Sequence, residues 1–108
     1  MSPLRLLAGL VLLSAVALAG CSSPAPAANQ VTIKDFAFSP ADLRIKAGDS
    51  VHFVNRDSAL HSVTATNDSF DHDVPAGGSA DIRFDHPGTF PYKCKYHAQM
   101  ATATITVS

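Results

Sequence analysis

From Gln30 onward, apolar and polar residues alternate with a period of two, and this constrains the fold more than any other feature of the chain. Val31 and Ile33 alternate with Thr32 and Lys34, and Leu43 and Ile45 with Arg44 and Lys46. Val51 and Phe53 alternate with His52 and the less polar Val54, and Val63 and Ala65 with Thr64 and Thr66. Ala80, Ile82 and Phe84 are interleaved with Asp81, Arg83 and Asp85, and Ile105 and Val107 with Thr104 and Thr106. Successive side chains of a strand point to opposite faces, so each segment reads as a strand with one buried face. Residues that accept turn geometry separate the segments: Ala47-Gly48-Asp49, Asn55 to Ser58, Pro75 to Gly78 and Asp85 to Gly88. No stretch of this region sustains a helical period. The pattern predicts an all-β fold, an antiparallel Greek-key β-sandwich of about seven or eight strands. Asn67 to Val74 is the least strand-like part and reads as a loop or a short edge piece.

The first residues follow a different rule. Met1 to Arg5 carries one positive charge, Leu6 to Leu18 is almost wholly apolar, and Ala19 and Gly20 lead to Cys21. This is the order of a secretory signal, and the apolar run falls short of the ~20 residues a transmembrane helix needs. Leu18-Ala19-Gly20-Cys21 resembles the lipobox of bacterial lipoproteins, in which the cysteine is lipidated and becomes the mature N-terminus; the alternative is an ordinary cleavage site beside a cysteine. The expected organisation is a signal peptide over 1–20, lipidated Cys21 with a Pro/Ala-rich tether over 21–29, and one folded domain over 30–108. Such a protein is exported and held by lipid at the outer face of the cytoplasmic membrane, or elsewhere in the periplasm or cell envelope.

Removal of the first segment changes the cysteine count. Cys21 and Cys94 are the only cysteines, and Met1 and Met100 the only methionines. With Cys21 acylated, Cys94 has no disulfide partner, and an unpaired cysteine in an exported domain calls for a chemical role. It lies in Cys94-Lys95-Tyr96-His97-Ala98-Gln99-Met100, a C-x-x-H-x-x-M pattern. Thiolate, imidazole and thioether together form the ligand set of a blue-copper site, whereas thioether is a poor ligand for zinc. A lone buried cysteine is usually a small hydrophobe and a lone methionine core filler. Here both flank one histidine at spacings that let a single loop surround one point. A fourth donor should come from a neighbouring strand, beyond a turn, and His61 fits. His52, His72 and His86 have weaker claims: a sheet surface, a position between two aspartates, and a Pro-Gly turn.

Two stretches, "FAFSPADLRIKAGDSVHFVNRDSALHSV" from Phe36 and "PGTFPYKCKYHAQM" from Pro87, resemble the signature regions of the cupredoxins, particularly plastocyanin and amicyanin. The gap between His97 and Met100 is that of amicyanin. The resemblance implies His61, Cys94, His97 and Met100 as ligands of one Cu(I)/Cu(II) ion of the type 1 class. It implies one-electron transport between larger redox proteins by a small monomer, with transient partners docking near His97. Ala59, Leu60, Ala98 and Phe36 are the candidates for an apolar collar there, and in amicyanin-like sites the exposed histidine can leave Cu(I) on protonation.

The chain departs from the family in three places. Ser62 follows the first histidine where asparagine is common; its backbone N–H is expected to reach the Cys94 sulfur, while its hydroxyl is expected not to tie the two ligand loops together. Tyr96 and Ala98 stand where amicyanin has prolines. Tyr96 keeps its N–H and is expected to make a second N–H···S bond, and the loop is expected to be less rigid.

Other functions fit less well. The formal net charge of −1 includes Arg5, and no basic stripe points to nucleic acid. The sequence has no glutamate, no His-x-His pair and no second cysteine near Cys94, which argues against oxidase, binuclear and glutamate-ligated copper sites and hence against an enzyme. Copper delivery from the same pocket is the alternative to electron transport.

Overall fold

The computed structural model describes residues 29–108, so the expected signal peptide, Cys21 and nearly all of the tether lie outside the described residues. Nine strands follow in chain order: β1 Gln30–Lys34, β2 Ala37–Ser39, β3 Asp42–Ile45, β4 Ser50–Asn55, β5 His61–Ala65, β6 Asp71–Val74, β7 Ser79–Arg83, β8 Gly88–Lys93 and β9 Ala103–Val107. They form a four-stranded sheet, β2-β1-β4-β7, and a five-stranded sheet, β3-β9-β8-β5-β6, packed as a β-sandwich. Among the described residues no helix is present.

The count exceeds the expected seven or eight because two short strands are pinned by tertiary pairing rather than by their own pattern. β2 returns antiparallel on β1, with Ile33 opposite Phe38. β6 lies in the stretch read as a loop or edge piece, and it is the edge strand, pairing with β5 from His61↔Val74 to Thr64↔Asp71. The expectation of antiparallel pairing throughout also needs correction: β1 runs parallel to β4, and β3 parallel to β9. Alternation reports which face of a strand is buried, not the direction of its neighbour.

The alternating residues meet between the sheets as predicted. Val31, Ile33, Val51, Phe53, Val63 and Ile105 are fully buried, with Tyr92 at the centre. The Tyr92 ring is edge-on to Phe38 at 4.8 Å and to Phe53 at 5.5 Å, a T-shaped geometry that aromatic rings favour. At the far end from the predicted ligands, Gly48 takes a left-handed φ of 96° and donates its N–H to the Phe84 carbonyl at 2.7 Å. That conformation suits glycine and lets β3 turn tightly into β4.

β5 departs from the one-sided pattern, being buried at all five positions. His61, Val63 and Ala65 face the core. Ser62 and Thr64 face outward but lie beneath the chain that leaves β8. β4 and β8 both run toward one end of the sandwich and β5 starts there, so that end collects the predicted ligands.

Candidate metal centre

His61 opens β5, and its position is set by the loop that leads to it. Asn55, fully buried at the end of β4, donates its side-chain N–H groups to the carbonyls of Ala59 at 2.8 Å and Val74 at 2.9 Å. Its side-chain oxygen accepts the Asp57 N–H at 2.9 Å. One amide therefore satisfies three backbone groups and folds residues 56–60 into a fixed shape.

That shape places the Asp57 carboxylate under the site. Oδ1 accepts the Asp35 N–H at 2.7 Å, and Oδ2 accepts the Phe36 N–H at 2.9 Å and lies 2.9 Å from His61 Nε2. Burial opposes ionisation of Asp57, but the amides of Phe36 and Asp35 and the His61 ring together hold its carboxyl below the usual carboxylate value. An ionised carboxylate only accepts hydrogen bonds, so Nε2 of His61 carries the ring proton. His61 Nδ1 is thereby left as a lone-pair donor, and it faces Cys94 Sγ at 3.6 Å.

The second histidine obeys the same logic. Cys94 follows directly after β8 and is buried, and His97 is half-buried three residues on. His97 Nε2 lies 3.0 Å from the Leu60 carbonyl, which can only accept, so Nδ1 is again the free donor. Met100 donates its N–H to the His97 carbonyl at 3.0 Å, turning the loop back, and its side chain is buried alongside Cys94 in the core cluster. Met100 lies ahead of β9, which starts at Ala103.

The ligand atoms of His61, Cys94 and His97 all lie within 4.8 Å of one another. The donor chemistry fits copper: two imidazole nitrogens freed by hydrogen bonds on the far side of each ring, one buried thiol and one buried thioether. His61, Cys94, His97 and Met100 are placed to bind a single copper ion. His52, His72 and His86 join no such cluster among the described residues. His52 lies instead on the face of the four-stranded sheet, with Nδ1 2.6 Å from Asp81.

A family model described as a cupredoxin-like domain matches residues 6–107. The chain belongs to the cupredoxin-like family. Among solved structures, a purple cupredoxin from Nitrosopumilus maritimus superposes with a TM-score of 0.66 at 24% identity, over 73% of this chain and 98% of that one. An amicyanin carrying a methionine-to-alanine substitution, in its Cu(I) form, gives 0.69 at 25% identity over 79% and 86%. An oxidised methionine-to-leucine amicyanin gives 0.70 at 22% over the same shares. All three resemble this cupredoxin domain in fold.

Two expectations about the departures are corrected. The Ser62 hydroxyl does tie the ligand loops together: its Oγ accepts the Lys95 N–H at 2.8 Å. A serine on the outer face of β5 is close enough to the chain leaving β8 for a short side chain to bridge them. Among the described residues, the hydrogen-bond contact at the Cys94 sulfur is with His61, and neither the Ser62 nor the Tyr96 N–H makes the expected bond to it. Tyr96 is turned the other way, and its hydroxyl donates to Asp73 Oδ1 at 2.8 Å.

Sequence reasoning missed Asn55, Asp57 and the role of Phe36. The β1–β2 hairpin has a two-residue tip, Asp35 and Phe36, with φ of 51° and 57°, the pattern of a type I′ turn. Capped by Asp57, the tip sets the Phe36 ring edge-on to His61 at 5.0 Å and to His97 at 4.9 Å. The one available signal was Asp-Phe between two short apolar runs, which is weak because Phe seldom occupies a left-handed position.

Proposed function

We propose that this cupredoxin is a one-electron carrier tethered to a membrane. The observation that carries this reading is the shared orientation of the two imidazoles, each with its outer nitrogen bonded and its inner nitrogen free beside Cys94. Copper held there supplies one-electron redox chemistry. The protein's part is to keep the four donors in one arrangement whatever the charge on the ion, because ligands that need not move make electron exchange fast.

The exposed surface favours exchange with another protein. Phe36, Leu60 and Tyr96 are 42%, 43% and 43% exposed, and they are the large hydrophobic residues most open to water among the described residues. Two of them touch the site directly: Phe36 packs on both histidine rings, and Leu60 accepts from His97. With Ala59 and Ala98 from the same loops they form an apolar rim beside the half-buried His97. A small apolar contact suits brief docking. Tyr96 adds an exposed ring on the same loop, with its hydroxyl turned to Asp73 on β6. The signal sequence and Cys21 lipobox support an exported, lipid-anchored location at the outer face of the cytoplasmic membrane or within the cell envelope, with residues 21–29 as tether.

Adding Cu(II) to the detergent-solubilised full chain tests the central claim. The expected result is an intense visible copper–thiolate band with reversible one-electron voltammetry, both lost in Cys94→Ser. A colourless protein, or colour that survives the substitution, would sink it. Tight Cu(I) binding without reversible cycling would favour copper delivery instead. Leu60→Glu should slow exchange with a redox partner while leaving the band in place.

A further inference from the structure

The segment from Cys94 to Met100 contains neither proline nor glycine, and the side chains of Lys95 and Tyr96, between the ligands Cys94 and His97, are partly exposed. Its order therefore has to come from contacts with something else. Leu60 and Phe36 hold the His97 ring, and the contacts of Lys95 and Tyr96 converge on β6, the polar edge strand.

A closed circuit of hydrogen bonds joins them. The Lys95 N–H donates to Ser62 Oγ at 2.8 Å, and Ser62 Oγ lies 2.8 Å from Thr64 Oγ1. Thr64 Oγ1 donates to Asp71 Oδ1 at 2.8 Å, and Asp71 Oδ2 accepts from Lys95 Nζ at 2.8 Å. The Thr64 proton is committed to the carboxylate, so the Ser62 hydroxyl must be the donor to Thr64. Every hydroxyl in the circuit then donates once and accepts once. It starts at the backbone of Lys95 and ends at that residue's own side chain. Beside it, Asp73 accepts from the Tyr96 hydroxyl at 2.8 Å and lies 3.5 Å from Lys95 Nζ. Ser62 and Thr64 are buried under this cover although they face away from the core.

We propose that Asp71 and Asp73 of β6 are positioning residues for the copper loop, acting through Lys95 and Tyr96 to hold Cys94 and His97 in place in both redox states. The functional half of this proposal rests on the copper reading above; the structural half does not. The circuit enters the loop at the amide directly after Cys94, so any slack in it reaches the thiolate within one residue. Exposed ion pairs contribute little to global stability. The circuit's contribution is local order, the supporting contacts a metal site needs around its ligands.

Lys95→Met and Asp71→Asn each open the circuit at an exposed side chain and leave the core untouched. In the metal-free full chain, hydrogen exchange of the Lys95 to Met100 amides should accelerate by about tenfold in either variant, with β1 and β9 unchanged. The double variant should exchange no faster than the singles, because both remove one interaction. Unchanged loop exchange, an equal acceleration across the whole domain, or additive effects would each overturn the proposal. With copper bound, both variants should keep the thiolate band but show slower electron self-exchange; an unaltered self-exchange rate would remove the functional half. If the wild-type chain takes up no copper, the reading as a carrier fails, and loop exchange still decides the clamp.

Discussion

Tyr92 sits at the centre of the core with its ring between Phe38 and Phe53, and its hydroxyl has no hydrogen-bond partner among the described residues. Burial pushes the phenol well above its ordinary ionisation range, so it stays neutral. A buried donor without a partner costs roughly 1–3 kcal/mol, and the ring alone does the packing. Tyr92→Phe is therefore expected to raise the unfolding free energy of the metal-free domain by about 1 kcal/mol, read by urea titration. A loss of stability would show that the hydroxyl has a partner after all. At this scale the ligands were legible because each soft donor is unique in the folded part: one cysteine and one methionine, with one histidine between them. Asp57 was not legible. It is one of nine acidic residues, and nothing local distinguishes a carboxylate that will cap a distant hairpin from one that faces solvent. Its partners Asp35 and Phe36 lie 22 and 21 residues away.

Elements were legible in proportion to how fully they are buried on one face. β1, β4 and β9 carry clean alternation and appear where the sequence places them. β6 lies in a stretch that reads only as a loop or short edge piece, because three of its four residues, Asp71, His72 and Asp73, are exposed. An edge strand whose outward face serves polar contacts has no apolar stripe to announce it. The β1–β2 hairpin was missed because its tip uses Asp-Phe in place of the usual glycine. That choice costs backbone energy, and the Phe36 ring against both histidines is what it provides. Phe36→Gly should relieve about 1 kcal/mol of left-handed strain while forfeiting exposed ring contacts of similar size, so the unfolding midpoint changes little. The same change opens the copper to water, which favours the more highly charged oxidised ion. The reduction potential should fall, as measured by voltammetry. A stable variant with an unshifted potential would mean the ring does not shield the site.

For the molecule as a whole, the sandwich architecture followed from the sequence, but the parallel pairings did not. Those depend on which strand crosses to which sheet, and period-two alternation is blind to it. The acid response belongs to this scale as well. Lys95 and Thr64 hold the Asp71 carboxyl below the ordinary carboxylate value, so its ionised form is favoured by folding. The resulting stability is complete above the unfolded value of about 3.9 and is lost as pH falls through the lowered folded value. Because the pair is exposed, the effect is local: in the metal-free domain, hydrogen-exchange protection of the Lys95 to Met100 amides should decline below about pH 4, with a shallower decline in Asp71→Asn. An unchanged slope in the variant would assign the acid sensitivity to other carboxylates.

The parallel pairing of β1 with β4 has one further consequence. β1 enters at Gln30 beside His52 and runs toward the hairpin whose tip touches both ligand histidines. Five residues of strand, roughly 17 Å, thus separate the place where the leading segment joins the domain from the redox end. If the proposed lipid anchor holds the leading segment, the domain is gripped away from the copper end, and the ligand-bearing face stays open to partners.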